Sequence, residues 1–326
     1  MSEIQPKKSP PHVRETEVPV ELAGQRFDQA LARLFPEYSR SRLAQWIRDG
    51  HAQLDGREVR PRDIVMSGQR VKVEITDIPL TGIEAEALPL DVIYEDAALI
   101  IVNKPAGLVV HPGAGNPAGT MQNALLHYAP ELLNVPRCGL LHRLDKDTSG
   151  LLAVARTPES HTRLVAALQA REFEREYLAV LNGVMTGGGT VDAPIGRHAT
   201  DRLRMSVREG GREAITHYRV MIRFRAHTQV SVKLETGRTH QIRVHLSHIR
   251  YPIVGDPVYG RRLVLPPAVT PRLKERLQGF HRQALHARRL GLVHPVSGAS
   301  MQWQVPLPSD MQALVDALED DLAHGG

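Results

Sequence analysis

A single cysteine, Cys138, stands in 326 residues. One thiol excludes an intramolecular disulfide and any zinc site built from several thiolates. Long apolar runs are also missing. The longest, such as Ala98–Val102, fall far short of the roughly 20 residues that span a bilayer. The opening segment MSEIQPKKSPP is polar and lacks the apolar centre of a secretory signal. A soluble, cytoplasmic protein with no membrane attachment is the expectation. Phosphate-cradling glycine loops are absent as well. HPGAGNPAG, residues 111–119, has the glycines, but its spacing is neither GxGxxG nor a P-loop and Pro117 interrupts it, so it reads as a structural loop. No GxSxG element serves a serine hydrolase, and Cys138 lacks the surroundings of a thiol protease nucleophile. No internal repeat is visible.

The chain is ordinary in bulk, with 42% hydrophobic and 24% charged residues, the balance of a globular protein. Its length calls for one large domain with a small appendage. Forty-one Lys and Arg against 36 Asp and Glu give a net charge of +5, and a pI near 9.5 suits a polyanionic partner. The excess is uneven. Ser39–Arg48 holds Arg40, Arg42 and Arg48 with no acid, and Gly237–Arg250 holds Arg238, Arg243 and Arg250 with no acid. Local runs of one sign point to phosphate-facing surfaces.

Residues 1–17 are expected to be a disordered tail. Residues 18–75 read as a compact unit with helices around Phe27–Phe35 and Arg42–Arg48. Short strands follow near Ala52–Leu54 and Arg70–Ile75, with a turn at Asp55-Gly56. Ser39 is placed to cap the second helix, and Trp46 falls among its apolar positions, as core. Residues 76–90 lack periodicity and read as a linker. From 91 to 326, DVIYED, ALIIVNKP and LVVHP read as strands, Thr120–Tyr128 as a helix, and Gly150–Ala155 as a buried strand. Thr157-Pro158-Glu159 starts a helix running to about Arg171. REYLAVLNG, AITHYRVM and TQVSVKLE alternate with period two. Turns too short for crossover helices make the sheet mixed and largely antiparallel, so the large domain is α+β, with helices flanking the sheet.

HRLDKDTSGLL, His142–Leu152, sets a carboxylate, Asp145, between Arg143 and Lys146 before a turn into an apolar strand. Cations favour the ionised form of a carboxylate, and a loop at a strand edge can present it to a substrate. The whole eleven residues resemble the signature loop of the large-subunit ribosomal RNA pseudouridine synthases. REYLAV (Arg175–Val180), LETGRTHQIRVHL (Leu234–Leu246), NKPAGLVVHPG (Asn103–Gly113) and VGDPVYG (Val254–Gly260) match further segments of that family in order. SRSRLAQWIRDGHAQLDG (Ser39–Gly56) resembles an S4 RNA-binding domain. The resemblance implies Asp145, Tyr177 and Arg243 as catalytic residues. Arg143 would fill the gap left by an extruded base, and Arg40, Arg42, Arg48, Arg238 and His240 would contact RNA. It further implies 23S rRNA, at the helix 69 stem-loop of the large subunit or its precursor, as substrate, with no obligate protein partner.

Turning uridine into pseudouridine breaks N1–C1′, rotates the base and joins C5 to C1′, with no redox change, so no cofactor or metal is expected. His217, His240, His245 and His248 lack a recognised ligand spacing and lie among arginines that repel a cation. A non-catalytic RNA-binding or ribosome-assembly factor is the competing reading, and the joint presence of Asp145, Tyr177 and Arg243 argues against it. A sibling synthase acting on other rRNA or tRNA uridines stays open.

Overall fold

The computed structural model describes residues 12–324 apart from 37, 39, 76–82, 114, 202, 203, 261, 262 and 264. The expected cap at Ser39 lies outside the described residues, and so do the side chains of Arg40 and Arg42. The chain divides into two compact units, residues 1–83 and 84–326.

The N-terminal unit contains β1 (His12–Glu17), α1 (Phe27–Leu34), α2 (Arg40–Arg48), β2 (Ala52–Leu54), β3 (Arg57–Glu58) and β4 (Arg70–Ile75). Its antiparallel sheet runs β1-β4-β2-β3. Phe27, Leu31, Leu43, Trp46, Ile47, Val71 and Val73 form its buried core, so Trp46 is a core residue, packed edge-on to Tyr38. Asp55 and Gly56 both take positive φ, 51° and 72°, the backbone of a tight hairpin turn. The expectation of a disordered tail over residues 1–17 does not hold for residues 12–17. Residues 12–17 form strand β1, whose Glu15 and Glu17 stand opposite Lys72 and Arg70 of β4, and cross-strand pairs of opposite charge stabilise such an edge.

The second unit contains β5 (Val92–Glu95), β6 (Leu99–Lys104), α3 (Met121–Tyr128), β7 (Ser149–Ala155), α4 (Pro158–Gln169), β8 (Glu174–Asn182), β9 (Gly189–Asp192), β10 (Ile195–Arg197) and β11 (Met205–Val207). It continues with β12 (Ile215–Arg223), β13 (His227–Leu234), α5 (Gln241–His248), α6 (Pro271–Gly279), β14 (Leu285–Val293), β15 (Ser300–Gln304) and α7 (Ser309–His324). One large sheet is ordered β5-β6-β7-β14-β8-β13-β12-β9, with β15 paired to β14. Only β7 and β14 run parallel, through His286–Ser149 and Ala287–Gly150. The sheet is therefore mixed and largely antiparallel. Thr157 caps α4 by accepting from the Ser160 N–H, with Pro158 in the first turn, and Thr120 caps α3 in a reciprocal capping box with Asn123.

Two expectations need correction. LVVHP (Leu108–Pro112) is not a strand. The carbonyls of Val109 and Val110 accept from the Met121 and Gln122 N–H groups, so this backbone satisfies the start of α3 in place of a ladder. Residues 84–90 are not a free linker either. The Glu84 carbonyl accepts from the Asn123 side chain at 2.7 Å, and the Glu86 carboxylate accepts from the Gly119 N–H at 2.9 Å, which ties the segment to α3.

His227 and His286 are each 1% exposed, and burial pulls each down to about 4. An unfolded chain binds these protons near pH 6.5, whereas the folded protein does so only near 4. The stability this neutrality allows is complete above about pH 6.5 and is lost as pH falls toward about 4. The denaturation midpoint is expected to drop between about pH 6.5 and 4.5, with a shallower drop in His227→Gln. Parallel pH profiles for variant and wild type would count against a neutral buried His227.

Candidate active site

Asp145 lies in the loop that enters β7. That loop has almost no backbone freedom, because the carbonyls of Asp145, Lys146 and Asp147 are all engaged. The Asp145 carbonyl accepts from the Thr148 N–H at 3.1 Å and the Lys146 carbonyl from the Gly107 N–H at 2.9 Å. The Lys146 carbonyl also accepts from Lys104 Nζ at 2.8 Å, and the Asp147 carbonyl from Arg282 at 3.2 Å. The Thr148 hydroxyl accepts from Gln283 at 3.0 Å. At Gly150, where the loop becomes strand, φ is +116° and a Cβ would sit 2.2 Å from the Ala287 carbonyl oxygen. Only glycine lets β7 lie this close to β14.

Lys104 was not singled out in the sequence as a site residue. It is fully buried and donates to the carbonyls of Pro105, Leu108 and Lys146 at 2.7–2.9 Å. Burial pulls its ammonium down to about 7, against the opposing pull of Asp147 and Asp145. With three carbonyl acceptors it fastens the NKPAG loop to the Asp145 loop.

The charge that faces Asp145 comes from a distant part of the chain. Arg143 and Lys146, its cationic neighbours in sequence, are exposed, and among the described residues neither forms an ion pair. Arg243 on α5 donates through Nη1 to Asp145 Oδ2 at 2.9 Å. Its Nε and Nη2 fork onto Asp256 at 2.7 and 2.9 Å. The Asp256 carboxylate is wholly buried and also accepts from the Val258 and Tyr259 N–H groups. Burial pushes the Asp256 carboxyl up, but the Arg243 guanidinium and those amides outweigh it and hold it below its usual value. Burial likewise works against the Arg243 charge, and the two carboxylates more than restore it.

His240, at the start of α5 in the left-handed region, stands with Nε2 3.8 Å from Asp145 Oδ1. The Tyr259 hydroxyl accepts from the Met205 N–H at 2.8 Å and lies within hydrogen-bond distance of His240 Nδ1, 2.8 Å away. Burial lowers the His240 pKa, Asp145 opposing.

These groups line a cleft of about 510 Å³. Asp145, Tyr177, Arg243, Arg143, Arg238 and His240 all border it, so six of the residues singled out in the sequence converge. Arg40, Arg42 and Arg48 belong to the N-terminal unit, where exposed Arg48 donates to the Gln45 side chain. Tyr177, 5% exposed, projects from β8, and burial raises its phenol pKa, which keeps it protonated. Arg238 donates to the Glu213 carbonyl. His111 of the HPGAG loop also borders the cleft. Three of the four histidines weighed as a metal cluster are engaged separately. His217 meets Glu235, His245 bridges Thr216 and Ala193, and His240 meets Tyr259. Among the described residues no group of three or more His, Cys, Asp or Glu could hold a metal ion.

Removing one partner of a buried pair strands the other charge at a cost of about 3–5 kcal/mol, whereas replacing both with apolar groups is often neutral. Asp256→Ala should therefore destabilise the fold by about that amount. Asp256→Leu combined with Arg243→Met should regain most of the stability and none of the activity. Equilibrium denaturation alongside turnover decides this, and an active double variant would show that the Arg243 fork is not needed at Asp145.

A family model described as RNA pseudouridylate synthase matches residues 98–248, and an S4 domain model matches residues 25–71. The chain is 56% identical over 308 residues to "Ribosomal large subunit pseudouridine synthase D" of Pseudomonas aeruginosa, covering 94% of this chain and 96% of that one. The protein of the same name from Escherichia coli is 52% identical over 299 residues, covering 91% and 92%. Among solved structures, "Human RNA Pseudouridylate Synthase Domain Containing 4" superposes with a TM-score of 0.55 at 26% identity, covering 70% of this chain and 93% of that one. With the family's loop, strand and helix segments meeting in one cleft and relatives this similar along nearly the whole length, the chain belongs to the RNA pseudouridylate synthases, with an S4 domain preceding the catalytic one.

Proposed function

We propose that this synthase isomerises uridine to pseudouridine in 23S rRNA, at the helix 69 stem-loop of the large subunit or its precursor, in the cytoplasm. The observation that carries the chemistry is the fixed, ion-paired carboxylate of Asp145 at the floor of a cleft beside Tyr177. The names of the similar proteins support the ribosomal substrate. In this reading Asp145 is the reacting carboxylate, oriented by its 2.9 Å bond from Arg243. Tyr177 offers a ring face for the uracil. A uridine in a stem-loop must leave its stack to reach the cleft, and exposed Arg143 is suited to occupy the space it vacates. The isomerisation needs no cofactor: N1–C1′ is exchanged for C5–C1′, the C5 hydrogen departs as a proton, and N1 takes one up.

Incubation with large-subunit RNA tritiated at C5 is expected to release tritium in excess chelator and without added nucleotide. Asp145→Asn should keep RNA binding within a few-fold and fall below about a hundredth of wild-type turnover. No release from any rRNA or tRNA would remove the proposed activity. A site-resolved pseudouridine map with and without the protein separates helix 69 from other targets.

The S4 domain is proposed to supply affinity and placement through Arg40, Arg42 and Arg48. Each arginine that no longer neutralises a phosphate should reduce the slope of log affinity against log salt by roughly 0.9 on duplex and less on single strands. The triple alanine variant is expected to bind more weakly with a flatter slope, yet to turn over at saturating RNA. Complete inactivity of a folded triple variant at saturating RNA would mean that these arginines do more than bind.

A further inference from the structure

The cations around the cleft are not equivalent. Arg243 is paired with Asp145 and Asp256, and Arg171 with Glu213 and Glu235. Arg238 is anchored to a backbone carbonyl. Arg137 and Arg143 are exposed and can be hydrated. Arg175 fits none of these descriptions. It is 8% exposed, it borders the cleft, and among the described residues it makes no ion pair and no hydrogen bond. Its Nε is fully buried without a partner. A guanidinium taken out of water without a counter-charge costs several kcal/mol, so a ligand that completes it is bound with that cost recovered.

Two further features aim it at the reacting base. Arg175 precedes Tyr177 by two residues on β8, so both side chains leave the same face of the strand. Gly237, in the turn before α5, has no side chain to crowd it, and a Cβ there would lie 3.0 Å from Arg175 Nη1. The free end of the guanidinium is thereby left open beside the ring on which a uracil would stack.

Breaking N1–C1′ leaves its electron pair on the base. The uracil becomes an anion whose charge spreads to its two carbonyl oxygens until C5 bonds C1′; the C5 proton then leaves and N1 takes one up. Donors placed where charge develops, in a site that excludes water, contribute more than any comparable group in solvent. We propose that Arg175 donates to a carbonyl oxygen of the bound uracil and stabilises the departing uracil anion, as a further catalytic residue of this synthase. The inference rests on the isomerase reading and goes beyond it by naming the group that receives the leaving-group charge.

The test compares Arg175→Met, Arg175→Lys and wild type on RNA carrying uridine or 5-fluorouridine at the target. Fluorine makes uracil a better leaving group, so the reaction needs less help from a cation. Single-turnover loss of the starting nucleoside from nuclease digests is measured at saturating RNA, with RNA affinity measured separately. On uridine, Arg175→Met is expected to lose about 100- to 1000-fold in rate, with affinity within a few-fold and partial recovery in Arg175→Lys. On 5-fluorouridine the loss should shrink by about tenfold or more. An equal loss on both substrates, or a loss confined to affinity as for a phosphate-binding group, overturns the proposal. Should Arg175→Met fail to fold, the same comparison between Arg175→Lys and wild type decides it. Failure of wild type on every RNA would instead overturn the isomerase reading.

Discussion

One guanidinium holds the site together. Arg243 spends two of its donors on Asp256 and one on Asp145, and so joins α5 and the loop after it to the Asp145 loop 98 residues away. Such a buried trio is tolerable only when nearly every lone pair and N–H is satisfied. The amides of Val258 and Tyr259 complete Asp256, which leaves the remaining oxygen of Asp145 facing His240 and the cleft. Asp256 thus fixes the fork, and the fork fixes the direction in which Asp145 presents its free oxygen.

The base of the cleft and its rim follow opposite rules. At the base, Lys104, Arg282 and Gln283 occupy the backbone and hydroxyl acceptors of the Asp145 loop, and little can move without leaving a buried polar group unpaired. At the rim, Arg137 and Arg143 are exposed, free to change rotamer against a polyanion. Rigid chemistry with adaptable grip suits a substrate that must be reshaped before it reacts.

Much of this was legible in the sequence because local rules and tertiary structure agree. Thr157-Pro158 begins a helix by capping and fixed φ, and Asp55-Gly56 makes a hairpin turn where both residues tolerate positive φ. The HRLD, REY and GRTHQIR segments bring Arg143 and Asp145, Arg175 and Tyr177, and Arg238, His240 and Arg243 to one cleft. What was missed has a physical reason in each case. β1 is exposed along nearly all its length, so no period-two apolar signal marks it, and its pairing depends on charges in β4. LVVHP has strand composition, but its carbonyls are taken by the first amides of α3. Asp256 and Lys104 stand in quoted segments, but their roles rest on Arg243 and on the Lys146 carbonyl, which no local pattern exposes. Arg243, expected as a catalytic residue, supplies the charge beside Asp145, while Arg143 and Lys146, adjacent to it on the loop, diverge.

The position of β14 has a consequence for how the molecule is made. It lies between β7 and β8 in the sheet, although it is synthesised more than a hundred residues after either. Until residues 285–293 emerge, β7 and β8 present bare edges that would otherwise invite pairing with other chains. The sheet cannot knit from its N-terminal end in the order of translation, and domains dominated by such distant pairings fold slowly. Ser149, where the Asp145 loop becomes strand, bonds His286 on that late strand, so the loop gains its seat in the sheet only once the penultimate strand has slotted home.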